Sequence, residues 1–123
     1  MDKISLSRRF NAAMIALEAA SRGLSTRERL LVQIRASELN GCAFCLDMHS
    51  EEAREKGIDT TPASPREELI VRFTEMGTAL TDGADDALID EALVTLGEKT
   101  TADLIAAVAT INAWNRVGRL SRK

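Results

Sequence analysis

Both cysteines and the only histidine of the chain lie within one eight-residue stretch. Cys42 and Cys45 are three residues apart, and His49 follows Cys45 by four. On a helix, steps of three and four residues keep side chains on one face. The spacing therefore predicts a pair of thiols with an imidazole one turn beyond the second of them.

The dipeptide Asn40-Gly41 precedes this stretch. Both residue types tolerate left-handed backbone, so they end a preceding helix and place the cysteines in the first turn of the next one. Free N–H groups and the positive dipole end stabilise a thiolate there. His49 can accept or relay the proton of Cys45, and Cys42 is placed to resolve a sulfenic acid or mixed disulfide on Cys45. The pattern indicates a dithiol redox site.

Three other interpretations fit the same residues. Cysteine often serves as a small buried hydrophobe, and a lone histidine is often structural. In a zinc module, Cys42, Cys45 and His49 would supply three ligands, but a structural site needs four. Asp47 is a poor fourth ligand, because it points about 160° away from Cys45 on a helical wheel. A helical oligomer whose cysteines sense redox state without catalysis is the third alternative.

Length and composition limit the fold that carries these residues. The 123 residues make one domain, 1–123, with 45% hydrophobic and 28% charged residues. Only 3% are aromatic, none is Tyr, and Ala, Leu and Glu are frequent, which predicts an all-α fold. Two cysteines three apart do not make a disulfide scaffold.

Net charge and the length of apolar stretches limit the partners and the location of the protein. A net charge of −3 argues against nucleic-acid binding. No apolar stretch is long enough for a membrane span, and no signal-peptide region follows the polar start, so we expect a cytoplasmic protein without a membrane partner. No glycine-rich phosphate loop is present, and nothing indicates flavin, haem or another cofactor.

Capping and helix-breaking residues along the chain predict about six helices. Ser25 and Ser64 are expected N-caps, and Thr100 or Thr101 is expected to cap the last helix. The first helix is expected to bury a stripe made by Phe10, Ala13, Met14, Leu17 and Ala20. The predicted spans are 6–22, 26–39, 42–56, 65–80, 86–96 and 102–117.

Two segments resemble the carboxymuconolactone decarboxylase superfamily, specifically its alkylhydroperoxidase D-like branch. The first is LVQIRASELNGCAFCLDMHSEEAREKG, with its Cys-x-x-Cys-x-x-x-His core, and the second is TINAWNR near the end of the chain. The likeness extends from about Leu24 to Gly118. Because lactone decarboxylases of the superfamily generally lack the cysteine pair, the decarboxylase activity itself is not expected.

The resemblance implies an all-helical, homo-oligomeric protein, commonly a trimer or hexamer, with thiol-dependent peroxidase or disulfide reductase activity. By position, Cys45 resembles the thiol that attacks peroxide, Cys42 the resolving thiol and His49 the relay histidine. The expected partners are a peroxide or disulfide substrate and an external dithiol reductant.

One family position differs in this chain. The peroxidase pattern has a relay glutamate twelve residues before the first cysteine, where this sequence has Leu30. Glu28 is two residues away, which rotates it by about 200° on a helix. Glu38 is the better-placed carboxylate in sequence and is a candidate for the relay, although a solvated helix-end charge is an equally good interpretation. Phe44 stands where well-studied peroxidases have another histidine.

The second motif has a structural interpretation. Trp114 is expected to anchor packing, and Arg116 is expected to pair with a carboxylate or a helix end. Nothing in Asn112, Trp114, Asn115 and Arg116 indicates reactive chemistry.

Overall fold

The computed structural model describes all residues, 1–123, and consists of six helices without strands. This confirms the predicted all-α class. The helices are α1 (Arg8–Ala20), α2 (Thr26–Leu39), α3 (Ala43–Glu55), α4 (Pro65–Thr78), α5 (Asp86–Leu96) and α6 (Glu98–Leu120). None of them is both long and apolar enough to cross a membrane.

Helix α2 is the centre of the molecule, since it packs against α3, α4 and α6. Its buried side chains join those of α4, α5 and α6 in one hydrophobic core. The core holds Val32, Ala36, Leu69, Ile70, Phe73, Leu88, Ala92, Leu96, Leu104, Ala107, Val108 and Ile111. Helix α3, which carries the cysteines, lies beside this core between α2 and α6.

Two of the predicted caps are confirmed and one is wrong. Ser25 and Ser64 accept the backbone N–H groups of Glu28 and Glu67, at 3.1 Å each. Helix α6 begins at Glu98, four residues before the predicted start, so Thr101 lies inside the helix with 2% of its surface exposed. The reason is Gly97, whose φ of +84° turns the chain so that α5 ends and α6 begins at one residue.

The apolar stripe predicted for α1 is not buried within the chain. Met14 is the only buried residue of α1, while Phe10 and Leu17 are 45% and 43% exposed. The backbone of helix α1 approaches that of α6 only, at the edge of the core, so most of the apolar stripe of α1 is left uncovered. Periodicity identified the apolar face correctly, but it gave no information on what that face meets.

A cluster of amides attaches the end of α2 to α6. The Nδ2 group of Asn40 donates to the side-chain oxygens of Asn112 and Asn115, both at 2.9 Å. Asn115 is fully buried and donates in turn to the hydroxyl of Ser37 at 3.0 Å. Arg119 donates to the carbonyl of Asn40 at 2.9 Å. The turn that precedes the cysteines is therefore fixed to α6.

We predict that Asn115→Ala lowers the free energy of unfolding by about 1–3 kcal/mol, because it leaves the buried Ser37 hydroxyl without its donor. Urea unfolding of the reduced protein measures this. Asn11→Ala, which changes an exposed residue of α1, is the matched control. Equal, negligible losses in both variants would contradict the role given to Asn115.

Candidate active site

The sulfur pair lies at the first turn of α3. Cys42 is the N-cap residue, and its Sγ accepts the backbone N–H of Cys45 at 3.3 Å. The two residues form a disulfide with their Cα atoms 5.3 Å apart. Gly41 takes a φ of +64°, which lets the chain reverse between α2 and α3. The predicted placement of both cysteines at a helix start is what the structure shows.

A cavity of about 360 Å³ opens beside one of these two residues. Cys45 lines it and Cys42 does not. The other lining residues come from α1, α3, α6 and the end of the chain: Glu18, Arg22, Phe44, Met48, His49, Glu52, Trp114, Val117, Gly118 and Lys123. Of the two cysteines, Cys45 is therefore the one next to the cavity.

His49 forms part of the cavity wall and is 6% exposed. Its buried Nδ1 atom has no hydrogen-bond partner. Burial lowers the pKa of His49 below its ordinary value of 6.5, and this effect exceeds the opposing attraction of Glu52 and Glu18. The imidazole is therefore neutral at neutral pH and able to accept a proton.

A buried ion pair lies next to the histidine. Arg29, 5% exposed, holds Glu52 through two hydrogen bonds of 2.7 and 3.2 Å. These bonds, together with one from Lys56, lower the pKa of Glu52 to about 2, against the opposing effect of burial. Glu52 thus remains a carboxylate at any pH at which the protein works.

A second carboxylate reaches the cavity from α1. Glu18 accepts hydrogen bonds from Arg22 at 3.1 Å and from Gln33 at 3.5 Å. Gln33 also accepts a bond from Arg29 at 2.8 Å, so the side chains around His49 form one network across α1, α2 and α3.

Comparisons with known proteins identify the family of the chain. Residues 6–64 match the sequence pattern of the carboxymuconolactone decarboxylase family. The uncharacterized protein YdfG of Bacillus subtilis (strain 168) is 32% identical in an alignment 106 residues long. The match covers 76% of this chain and 71% of that protein. The chain belongs to the carboxymuconolactone decarboxylase family.

A solved structure supports the branch of the family. A protein of unknown function from Agrobacterium tumefaciens, described as a candidate antioxidant defence protein AhpD, superposes with a TM-score of 0.87 at 27% identity. The match covers 95% of this chain and 90% of the Agrobacterium protein. The fold is therefore the AhpD-like fold of the family.

The structure brings three of the four predicted site residues together. Cys42 and Cys45 lie at the start of α3 and His49 lies in its middle, and Cys45 and His49 line the cavity. The side chain of Glu38 does not reach it: 47% exposed, it lies 3.9 Å from Arg35 near the end of α2. The Asn-Gly turn separates its helix face from that of α3, so geometry gives no support to Glu38 as a relay group.

Leu30, at the family's relay-glutamate position, is fully buried. Its neighbour Glu28 pairs with Arg66 at 2.8 Å and does not line the cavity. The carboxylates at the cavity are instead Glu18 and Glu52. Glu52 follows His49 by three residues, a spacing that brings two side chains to the same helix face, so the sequence did contain a signal for Glu52. No local pattern could indicate Glu18, because it comes from another helix.

The second motif has the structural role that the sequence predicted, with one difference. Trp114 packs against the core and also lines the cavity. Arg116 donates to the main-chain and side-chain oxygens of Asn112, at 3.2 and 3.1 Å, rather than to a carboxylate. The structure places no three His, Cys, Asp or Glu side chains so that they could hold a metal ion.

We predict a pH dependence of stability that comes from His49. Its folded pKa lies below the unfolded 6.5, so the unfolded chain binds more protons as pH falls through 6.5. Stability should therefore decrease below 6.5 until the folded pKa is passed. His49→Gln should remove this decrease between about pH 7.5 and 5.5, since the chain has no other histidine.

Urea unfolding at several pH values measures the slope in both proteins. The carboxylate Glu52 does not interfere, because its stabilising contribution is lost only at lower pH, between 4.5 and about 2. An identical slope in the wild type and in His49→Gln would contradict the buried neutral state of the imidazole.

Proposed function

We propose that the chain is a thiol-dependent antioxidant oxidoreductase, which reduces peroxides or disulfides with the Cys42–Cys45 pair. The observation that carries the proposal is that Cys45 alone of the two cysteines faces a cavity, and that a neutral, buried His49 shares this cavity with it. The likeness to the AhpD candidate of Agrobacterium supports the same chemistry.

In the oxidising half of the cycle, the thiolate of Cys45 attacks one peroxide oxygen. The O–O bond breaks, the sulfur becomes a sulfenic acid, and the other oxygen leaves as an alcohol after it takes a proton. The Cys42 thiol then loses its proton, its thiolate attacks the sulfur of Cys45, and the displaced hydroxide takes up a proton and leaves as water, which closes the disulfide.

In the reducing half, a thiolate of an external dithiol attacks the sulfur of Cys45 from the cavity. Cys42 leaves as a thiolate, and the second thiol of the reductant then releases Cys45. The N–H of Cys45 donates to the sulfur of Cys42, so it stabilises the leaving thiolate in this step. The helix start thus favours Cys45 as the attacked sulfur and Cys42 as the leaving one.

His49 takes the proton of Cys45 and returns it to the departing oxygen. Because Leu30 replaces the family's relay glutamate, the carboxylates that face this imidazole are those of Glu18 and Glu52. Glu52 remains charged, since its pKa is about 2, and therefore stabilises the imidazolium while it exists. Glu18 and Glu52 thus stabilise the charged histidine, which is the role of the relay glutamate in the family pattern.

The cavity wall favours an organic substrate. Four apolar side chains, those of Phe44, Met48, Trp114 and Val117, line it beside Cys45. Burial of an organic group against them contributes binding energy that hydrogen peroxide does not offer. We therefore propose organic hydroperoxides or organic disulfides as substrates.

A homo-oligomer, a trimer or hexamer by family resemblance, is part of the proposal. The exposed apolar residues of α1, among them Phe10, Ile15 and Leu17, are available for contact with a second copy. Analytical ultracentrifugation measures the assembly, and a monomer at micromolar concentration would contradict it.

We predict that Cys45→Ser abolishes peroxide turnover with a dithiol reductant. Cys42→Ser should also lose turnover, but it should still react once with peroxide, because Cys45 remains. The product is a sulfenic acid on Cys45 that dimedone traps, and mass spectrometry locates the adduct.

Retained turnover in Cys45→Ser would contradict the proposal. A sulfenic acid that forms only on Cys42 would reverse the two roles. Disulfide formation without turnover would favour the non-catalytic redox sensor, which the leucine at position 30 keeps as the second candidate.

A further inference from the structure

Gly118 of α6 lies against both sulfurs of the redox pair. A Cβ atom at this position would be 3.0 Å from the Sγ of Cys42 and 3.2 Å from the Sγ of Cys45. Such distances are shorter than ordinary van der Waals contacts, so a side chain at 118 would require the sulfurs or the helix to move.

Backbone conformation does not require glycine here. Gly118 is inside α6, and it is not among the glycines with positive φ. Glycine within a helix is less favourable than alanine, so its presence needs a packing reason. The nearby sulfurs are the only atoms that a Cβ at this position would meet within 4 Å, once its chain neighbours and its own helix backbone are set aside.

The two sulfurs have little freedom to retreat while they are bonded. The disulfide joins them to each other, and Cys42 is also fixed as the N-cap of α3 by the N–H of Cys45. Both cysteines are buried, at 2% and 3% exposure. A methyl group at 118 would therefore press on a disulfide that cannot move aside.

The reduced cysteines can relieve part of the contact with a methyl group at 118, whereas the disulfide cannot. Once the S–S bond is broken, the side chain of Cys45 can rotate about χ1 independently of Cys42. Cys45 faces the cavity of about 360 Å³, so its thiol can turn into this space and away from α6. The same methyl group would therefore penalise the disulfide more than the dithiol.

We infer that Gly118 is a positioning residue that makes room for the Cys42–Cys45 disulfide and so sets the balance between the oxidised and reduced forms. The inference rests on the proposed function only in that the pair passes between these two forms. A Cβ atom at 118 would not meet His49, Glu18 or Glu52 within 4 Å, so the role given to Gly118 is separate from the transfer of a proton to the histidine.

The test is the equilibrium of the Cys42–Cys45 pair with glutathione, in Gly118→Ala and in the wild type. Two glutathione molecules supply two electrons and two protons, so that the protein disulfide becomes two thiols and glutathione disulfide forms. Acid quenching, alkylation of free thiols and mass spectrometry give the oxidised fraction. We expect an equilibrium shift toward the dithiol of about tenfold, which corresponds to about 30 mV.

Gly77→Ala is the matched control, because its Cβ would lie 2.8 Å from a methyl group of Val108 and contacts no sulfur. It should lower stability equally in both oxidation states and leave the glutathione equilibrium unchanged. A merely structural role of Gly118 would give the same result as this control.

A shift of less than about threefold in Gly118→Ala, or a shift toward the disulfide, would overturn the inference. If oxidised Gly118→Ala does not fold, the substitution is combined with Cys42→Ala, which removes one of the two sulfurs. Urea unfolding of this double variant is then compared with that of Cys42→Ala alone. Rescue of folding there supports the inference, and failure to fold there contradicts it. None of these readouts measures turnover, so absence of turnover with both peroxides and disulfides would refute the proposed function and leave this inference standing.

Discussion

The position of the cysteine pair depends on the hydrogen bonds that attach the end of α2 to α6. The amide of Asn40 bonds to two asparagines of α6, and its carbonyl accepts a bond from Arg119. The N-cap of the cysteine helix, Cys42, follows two residues later, so the same bonds hold the first turn of α3 near α6. Because the sulfurs then lie against Gly118, the cysteine pair is held by two helices that are distant in sequence. A polar cluster thus provides the rigid support that thiol chemistry requires.

The surroundings of His49 show how burial and charge act together in the site. Burial favours the neutral imidazole, whereas Glu52 and Glu18 favour the charged form. Burial has the larger effect, so the resting histidine is a base. Arg29 compensates the charge of Glu52 inside the protein and prevents that carboxylate from taking the proton. The imidazolium formed in the reaction would therefore exist only for a short time, next to a fixed negative charge.

Sequence was most informative where the information is local. The spacing of Cys42, Cys45 and His49 was informative because it is local: Cys42 caps α3, and Cys45 and His49 lie one turn apart on that helix and line the same cavity. The bounds of α2, α3 and α5 differ by at most one residue from those predicted. Prediction failed where distant contacts decide: Glu38 is near the cysteines in sequence but lies beyond a turn, and Glu18 reaches the cavity from α1. The membership of Gly118 in the site likewise depends on the packing of α6 on α3.

The central claim is that His49 activates the sulfur that faces the cavity, that of Cys45. The most direct test is the rate at which the reduced protein forms the Cys42–Cys45 disulfide after addition of an organic hydroperoxide, followed by quenching and mass spectrometry. The account predicts a second-order rate constant well above that of a free thiol such as glutathione under the same conditions. It also predicts that His49→Gln lowers this constant toward the free-thiol value. A wild-type rate equal to that of glutathione would contradict the account.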